Sequence, residues 1–245
     1  MCGRFTLHHS TQEIAERFAV QKVLFEPEPR YNIAPSQSIA AVTVQGPKSE
    51  RRLEGFKWGL VPFWAKEPSI GNKMINARAE SLVEKASFKY ALTQRRCLIP
   101  ADGFYEWKQD GHTAAKKAAR QPMHIHLKDQ ALFAFAGLWE EWRPKDEPEA
   151  KSLRSCTIIT TTPNKLLATM HHRMAVILRP EDEAAWLDPN LREPDDILKL
   201  LQPYPDGDMS AFPVATLINQ PAFDAADCIL PLEAEVAPSE QGSLF

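Results

Sequence analysis

Residues 96–107 read RCLIPADGFYEW, and this stretch decides the fold class. Its two halves, 96–99 and 103–107, are rich in β-branched or aromatic residues and flank a break at residues 100–102. Two neighbouring short strands are expected. The same texture continues outward in both directions, at 38–44, 53–60, 123–127, 132–139, 155–161 and 212–218, with a short extended segment at 72–78. Helices are fewer. Ser10 and Glu13 form a capping-box pattern ahead of Ile14, Ala15 and Phe18, which predicts a short helix to Phe18. Residues 79–92 read as helical. Pro163, with Thr162 as its cap, and Pro180 and Pro194 stand where first-turn prolines belong. Residues 25–35 carry three prolines and read as loop. Residues 108–120 are rich in Ala and Lys with an Asp110-Gly111 turn signal, and read as a long basic hairpin connection. Residues 143–151 read as a second polar loop. Many short strands with few interspersed helices predict one compact, mainly antiparallel α+β domain over residues 2–232, followed by a flexible polar tail at 233–245.

The bulk properties fit that reading. The chain has 245 residues, 44% hydrophobic and 25% charged, enough for a sizeable core. No apolar run approaches the ~18–20 residues that span a bilayer, and MCGRFTLHHS lacks the apolar centre of a signal peptide. A soluble cytoplasmic protein with no membrane partner is expected. Cys2, Cys97, Cys156 and Cys228 are far apart and match no metal-ligand spacing. Free thiols in a reducing compartment follow, with Cys97 and Cys156 as small buried hydrophobes inside strands. His124 and His126 alternate on one strand without partnered cysteines, which argues against a zinc site. Net charge is -3, unevenly spread. Residues 181–245 hold 2 basic against 14 acidic side chains, and residues 1–180 hold 27 against 18. That asymmetry suits either a basic surface for phosphates or two solvated halves.

Cys2 is the residue with the most distinctive chemistry. A small second residue permits removal of Met1, which would leave an α-amine and a thiol on adjacent carbons. Their reference pKa values, ~7.7–8.0 and ~8.5, make both partly nucleophilic near neutrality. Such a 1,2-aminothiol condenses with an aldehyde to an imine, and the thiol then closes a five-membered thiazolidine. Alternatively, Cys2 is an incidental second residue. Asn76 in MINARAES, Glu106 in PADGFYEW and His171 in MHHRMAVIL each set one polar group among packing residues, as loop-mounted catalytic groups often are. Each has a plainer reading. Asn76 suits a turn, Glu106 suits the solvent face of a half-buried strand, and His171 suits a helix C-terminus.

The segments MCGRF, RYNIAPSQ, KWGLVPFWAK, INARAES, RRCLIPADGFYEW and HHRMAVIL, in this order, resemble the SRAP family, the SOS-response-associated peptidases or abasic-site processing proteins. The resemblance covers most of residues 2–220. It implies a mixed β-sheet core with a single DNA groove, no metal and no cofactor. It implies that Cys2, Asn76, Glu106 and His171 are catalytic. Arg78 and Arg173 match phosphate-holding arginines, joined by Arg4, while Pro35 and Trp64 match apolar residues that shape the path of the strand. His171 would open the hemiacetal of an abasic deoxyribose. Glu106 would handle protons at the Cys2 amine, and Asn76 would orient it. Trp64 and Phe104 are candidate stacking surfaces for bases, with core packing as the alternative reading of each. The implied function is covalent capture of abasic sites in single-stranded DNA, with weak lyase activity as a side branch. The chain departs from the family pattern at His172 and Ala175, where an acid and a proline are usual. Two rival readings are an N-terminal cysteine peptidase acting on itself or on peptides, and a non-catalytic single-strand-binding module. The last residues, Gln241-Gly242-Ser243-Leu244-Phe245, resemble short peptides that bind the replication sliding clamp. A clamp would engage Gln241, Leu244 and Phe245.

Overall fold

The stretch that decides the fold class forms two strands, Arg96–Ala101 and Gly103–Lys108, and each belongs to a different sheet. Asp102 alone separates them. The structure is a computed structural model that describes residues 2–45, 50–108, 120–147 and 149–232.

The smaller sheet runs Met209–Pro213, Gln121–Leu127, Gly103–Lys108, Phe5–Leu7, Arg30–Ile33, with every pairing antiparallel. Phe5 stands opposite Phe104, and Thr6 opposite Gly103. In the larger sheet, Leu153–Thr161, Phe133–Trp142, Arg96–Ala101, Ser38–Gln45 and Glu50–Trp58 pair in that order. The path then closes, because Leu153–Thr161 also runs parallel to Glu50–Trp58 through Ser155 with Lys57 and Cys156 with Trp58. The short strand Asn76–Arg78 lies parallel to Leu153–Thr161. The core is therefore mixed, as expected, and mainly antiparallel.

The two sheets share an aromatic core. Phe5 meets Trp58 edge-on at 5.2 Å and Phe135 at 5.9 Å, and Phe104 meets Phe135 at 5.8 Å. Each of these side chains is buried. Burial stabilises by ~1.5–3 kcal/mol per large apolar side chain, with ~0.5–1.5 kcal/mol more for each edge-to-face pair. Phe104 is thus a core residue, so of its two readings core packing holds and base stacking is corrected.

Local signals held where they were self-contained. The first helix spans Thr11–Arg17, with both halves of the Ser10–Glu13 box made. Pro180–Leu187 and Pro194–Lys199 begin on their prolines. Four expectations change. Residues 25–35 contain a strand, Arg30–Ile33, because it pairs antiparallel with Phe5–Leu7, and the distant Asp224 carboxylate accepts the amides of Tyr31 and Asn32 at 2.6 and 2.9 Å. Residues 79–92 are not one helix but a single turn, Ala79–Ser81, and a later helix, Lys89–Gln94. Leu82 and Phe88 are both buried, and their six-residue spacing would place them on different faces of a continuous helix. The helix after Pro163 is Lys165–Ala168, capped by Asn164 rather than Thr162: Asn164 Oδ1 accepts the Leu167 amide at 2.9 Å. The late strand is Met209–Pro213, and residues 216–219 form a 3-10 turn. Among the described residues no helix is long and apolar enough to cross a membrane. Residues 109–119 of the basic connection, and the tail with Gln241, Leu244 and Phe245, lie outside the described residues.

Candidate active site

The strand Phe5–Leu7 brings Cys2 alongside Glu106. Beyond the Phe5–Phe104 pair, the Tyr105 amide donates to the Arg4 carbonyl at 3.0 Å, so the pairing continues back toward Cys2. Asn76 closes the other side, donating from Nδ2 to the Cys2 carbonyl at 2.7 Å. Asn76 is itself held on Asn76–Arg78, opposite Ile158, and the Trp58 indole donates to the Ile75 carbonyl next to it at 2.9 Å. Asn76 and Glu106, from two separate strands, therefore converge on Cys2 just ahead of a third.

This centre is dry. Cys2 is fully buried and Glu106 is 3% exposed, so Glu106 does not occupy a solvent face. Both faces of its strand are covered, and the alternation of Tyr105, Glu106 and Trp107 does not mark an inside and an outside. Burial raises the Glu106 carboxyl above the usual carboxylate range. Burial, with the Glu106 charge adding to it, pushes the Cys2 thiol up to about 12. A thiol so placed stays protonated at neutral pH. Asn76 Oδ1 is buried and has no partner among the described residues, which leaves one strong acceptor beside Cys2.

His171 sits just past the helix Lys165–Ala168, its amide bonded to the Leu167 carbonyl at 2.8 Å. It lies near the end of Leu153–Thr161 that also pairs with Asn76–Arg78, since Thr160 faces Arg78 on one side and Ala175 on the other. The Arg173 amide donates to His171 Nδ1 at 3.0 Å, and the Arg173 carbonyl lies 3.3 Å from the same nitrogen. One backbone unit can thus support either ring tautomer, with Nε2 as donor or acceptor. Partial burial, reinforced by the neighbouring His172 charge, lowers the His171 pKa and favours the neutral ring.

The three arginines fall in different settings. Arg78 is exposed. Arg173 is 8% exposed, and its guanidinium holds Glu80 through two bonds, of 2.7 and 2.9 Å, and the Thr160 carbonyl at 2.6 Å. Arg4 Nη1 donates to Asn32 Oδ1 and the Ile218 carbonyl, both at 2.7 Å, tying its strand to the 3-10 turn Thr216–Asn219. Pro35 is half-buried, and Trp64 is 39% exposed next to the more exposed Phe63. The Glu80–Arg173 pair was not foreseen from sequence. Its one signal was an acid inside the INARAES segment.

The model of the SOS response associated peptidase (SRAP) family matches residues 1–221. The chain belongs to the SRAP family. It is 48% identical over 231 residues to the abasic site processing protein YoqW of Bacillus subtilis (strain 168), across 94% of this chain and 99% of that protein. The abasic site processing protein HMCES of Xenopus tropicalis is 32% identical over 225 residues, which span 82% of this chain and 66% of its own length. A crystal structure of a protein from Bacteroides thetaiotaomicron superposes with a TM-score of 0.81 at 25% identity, covering 94% of this chain and 100% of that one. Against the SRAP pattern, the two departures differ in character. His172 is exposed and stacks on His171 with ring centroids 4.3 Å apart, whereas Ala175 is fully buried opposite Thr160.

Proposed function

We propose that this chain, once Met1 is removed, captures abasic sites in single-stranded DNA as a covalent thiazolidine on Cys2. The observation that carries the reading is the Asn76 hydrogen bond to the carbonyl of the buried Cys2, beside the buried Glu106. The SRAP relatives named abasic site processing proteins support the substrate. In this reading His171 moves a proton between the anomeric hydroxyl and the ring oxygen, which frees the aldehyde. The Cys2 amine adds to it, and loss of one water gives the imine. The amine is the first nucleophile, because only its addition can lead to the imine. The S–H then adds across C=N, sulfur to carbon and proton to nitrogen. Glu106, whose pKa is raised, carries protons at the amine, and Asn76 Oδ1 accepts an amine N–H. Arg78, Arg173 and Arg4 hold phosphates, with Arg173 exchanging Glu80 for a phosphate. Pro35 and Trp64 shape the strand path. The imine also acidifies the C2′ protons, so weak β-elimination accompanies capture.

The test uses untagged protein whose loss of Met1 is verified by intact mass. It is mixed with a single-stranded oligonucleotide carrying one abasic site and resolved on a denaturing gel. An adduct stable without borohydride, one water lighter than the sum of its parts and absent in Cys2→Ala, is expected. No adduct from processed protein overturns the reading and turns attention to peptide hydrolysis. A replication sliding clamp is a separate proposed partner. Deleting residues 241–245 should abolish clamp pull-down and leave DNA capture intact, and clamp binding that survives the deletion rejects that partner.

A further inference from the structure

The strand Phe5–Leu7 has Cys2 ahead of it and His8 and His9 behind it, and the far end forms a second polar cluster. His8 Nδ1 lies 2.9 Å and His9 Nδ1 3.1 Å from Oδ2 of the buried Asp102. The three ligand-type atoms lie within 4.8 Å of one another. Asp102 is held rigidly, with the Thr6 hydroxyl on Oδ1 and the His8 amide on Oδ2 at 2.6 Å. That oxygen is over-subscribed. The His8 Nδ1 approach is close but not aligned as a hydrogen bond, and Nδ1 is left without a hydrogen-bond partner.

A second, independent observation points the same way. His8, His9 and Asp102 line a cavity of about 390 Å³ together with His124 and His126. His124 is 5% exposed, and neither of its ring nitrogens has a partner among the described residues. Buried polar groups are nearly always satisfied, so two unmet nitrogens on one imidazole signal a missing polar occupant. The ring cannot turn away easily, because it stacks near His126 at 5.7 Å and packs on Phe212 at 5.3 Å.

We propose that His8, His9 and Asp102 bind a divalent first-row transition-metal ion of the zinc and cobalt class, with its remaining coordination directed into the cavity lined by His124. Tetrahedral zinc at ~2.0–2.1 Å from its ligands sets them about 3.3 Å apart. The Nδ1–Oδ2 separations of 2.9 and 3.1 Å need only a small adjustment to match. Two imidazoles and one carboxylate suit an ion of intermediate softness. One cation replaces the crowded contacts at Oδ2 with two metal–nitrogen bonds and one metal–oxygen bond. The site stands apart from the Cys2 centre and needs none of its residues. Its consequence is mechanical: the ion clamps the end of the Cys2-bearing strand to Asp102, the residue that joins the two sheets.

The test takes untagged, chelator-stripped full-length protein and titrates it with Co²⁺ and Zn²⁺, followed by calorimetry, visible absorption and thermal melting. One ion per chain, a cobalt ligand-field band and a raised Tm are expected. His8→Gln and His9→Gln should each weaken binding at least ~10-fold, while Cys2→Ser and His172→Gln leave it unchanged. His9 is only half-buried, so His9→Gln decides the matter even where His8→Gln disturbs folding. Absence of binding in the wild type, binding that persists in His9→Gln, or binding lost in Cys2→Ser would each overturn the proposal.

Discussion

Asn76 donates through Nδ2 to the carbonyl oxygen of Cys2 at 2.7 Å, joining a strand of the larger sheet to the segment that leads into the Phe5–Leu7 strand of the smaller one. The bond fixes where the first residue of the processed chain would present its amine. Asn76→Ala removes it and leaves a buried carbonyl unmet. Small displacements of a reacting group cost on the order of 100-fold in rate. Single-turnover adduct formation should therefore slow by about 10- to 100-fold, with single-strand affinity little changed. An unaltered rate would show that Asn76 only braces the fold.

Glu106 should trade stability for chemistry. Its carboxyl pKa is raised by burial. The folded chain therefore favours the protonated acid, and this contribution to stability is fully present below the unfolded carboxyl pKa. It is lost as pH rises through the folded value, so at neutral pH the buried carboxylate opposes folding. Glu106→Gln should raise resistance to urea at neutral pH, with the gain shrinking as pH falls through the carboxylate range. The same variant should lose most of its adduct-forming rate. A variant less stable than wild type at neutral pH would contradict the burial argument.

Gly103 is constrained by its neighbours. A Cβ there would sit 2.2 Å from His124 Nε2 and 2.9 Å from Thr6 Oγ1. Gly103→Ala should destabilise by ~1–3 kcal/mol, the usual cost of overpacking. Shortening the obstructing side chain with His124→Ser should recover part of that loss in a double-mutant cycle. Strict additivity of the two changes would mean the clash is relieved elsewhere.

Arg78 is the exposed member of the three arginines proposed to hold phosphates. Arg78→Ala should weaken binding to undamaged single strands and reduce the salt slope by ~0.7, the contribution of one phosphate contact on a single strand. Equilibrium titrations across several salt concentrations measure it. A weakened affinity with an unchanged slope would assign Arg78 a role other than charge.

The strands around residues 96–107, the Ser10 capping box and the helices opening on Pro180 and Pro194 were legible in the sequence, because each depends on residues within one turn or one strand. The SRAP family was legible too, in six short ordered segments. Alternation along residues 103–108 could not show whether the strand is covered on one face or two, and that difference decides whether Glu106 meets water or raises a thiol pKa. The strand Arg30–Ile33 depends on pairing with Phe5–Leu7 and on the Asp224 carboxylate, and Arg173 pairs with Glu80, each a partner distant in sequence. Likewise His124 and His126, read alone, argued against a metal. Only the closing of the sheets brings His8, His9 and Asp102 to the same cavity. Sequence determined the elements and the chemical inventory, because propensity, capping and covalent reactivity are local. Tertiary structure decided which polar groups are buried together, because desolvation and charge pairing act through space between residues that the chain order keeps apart.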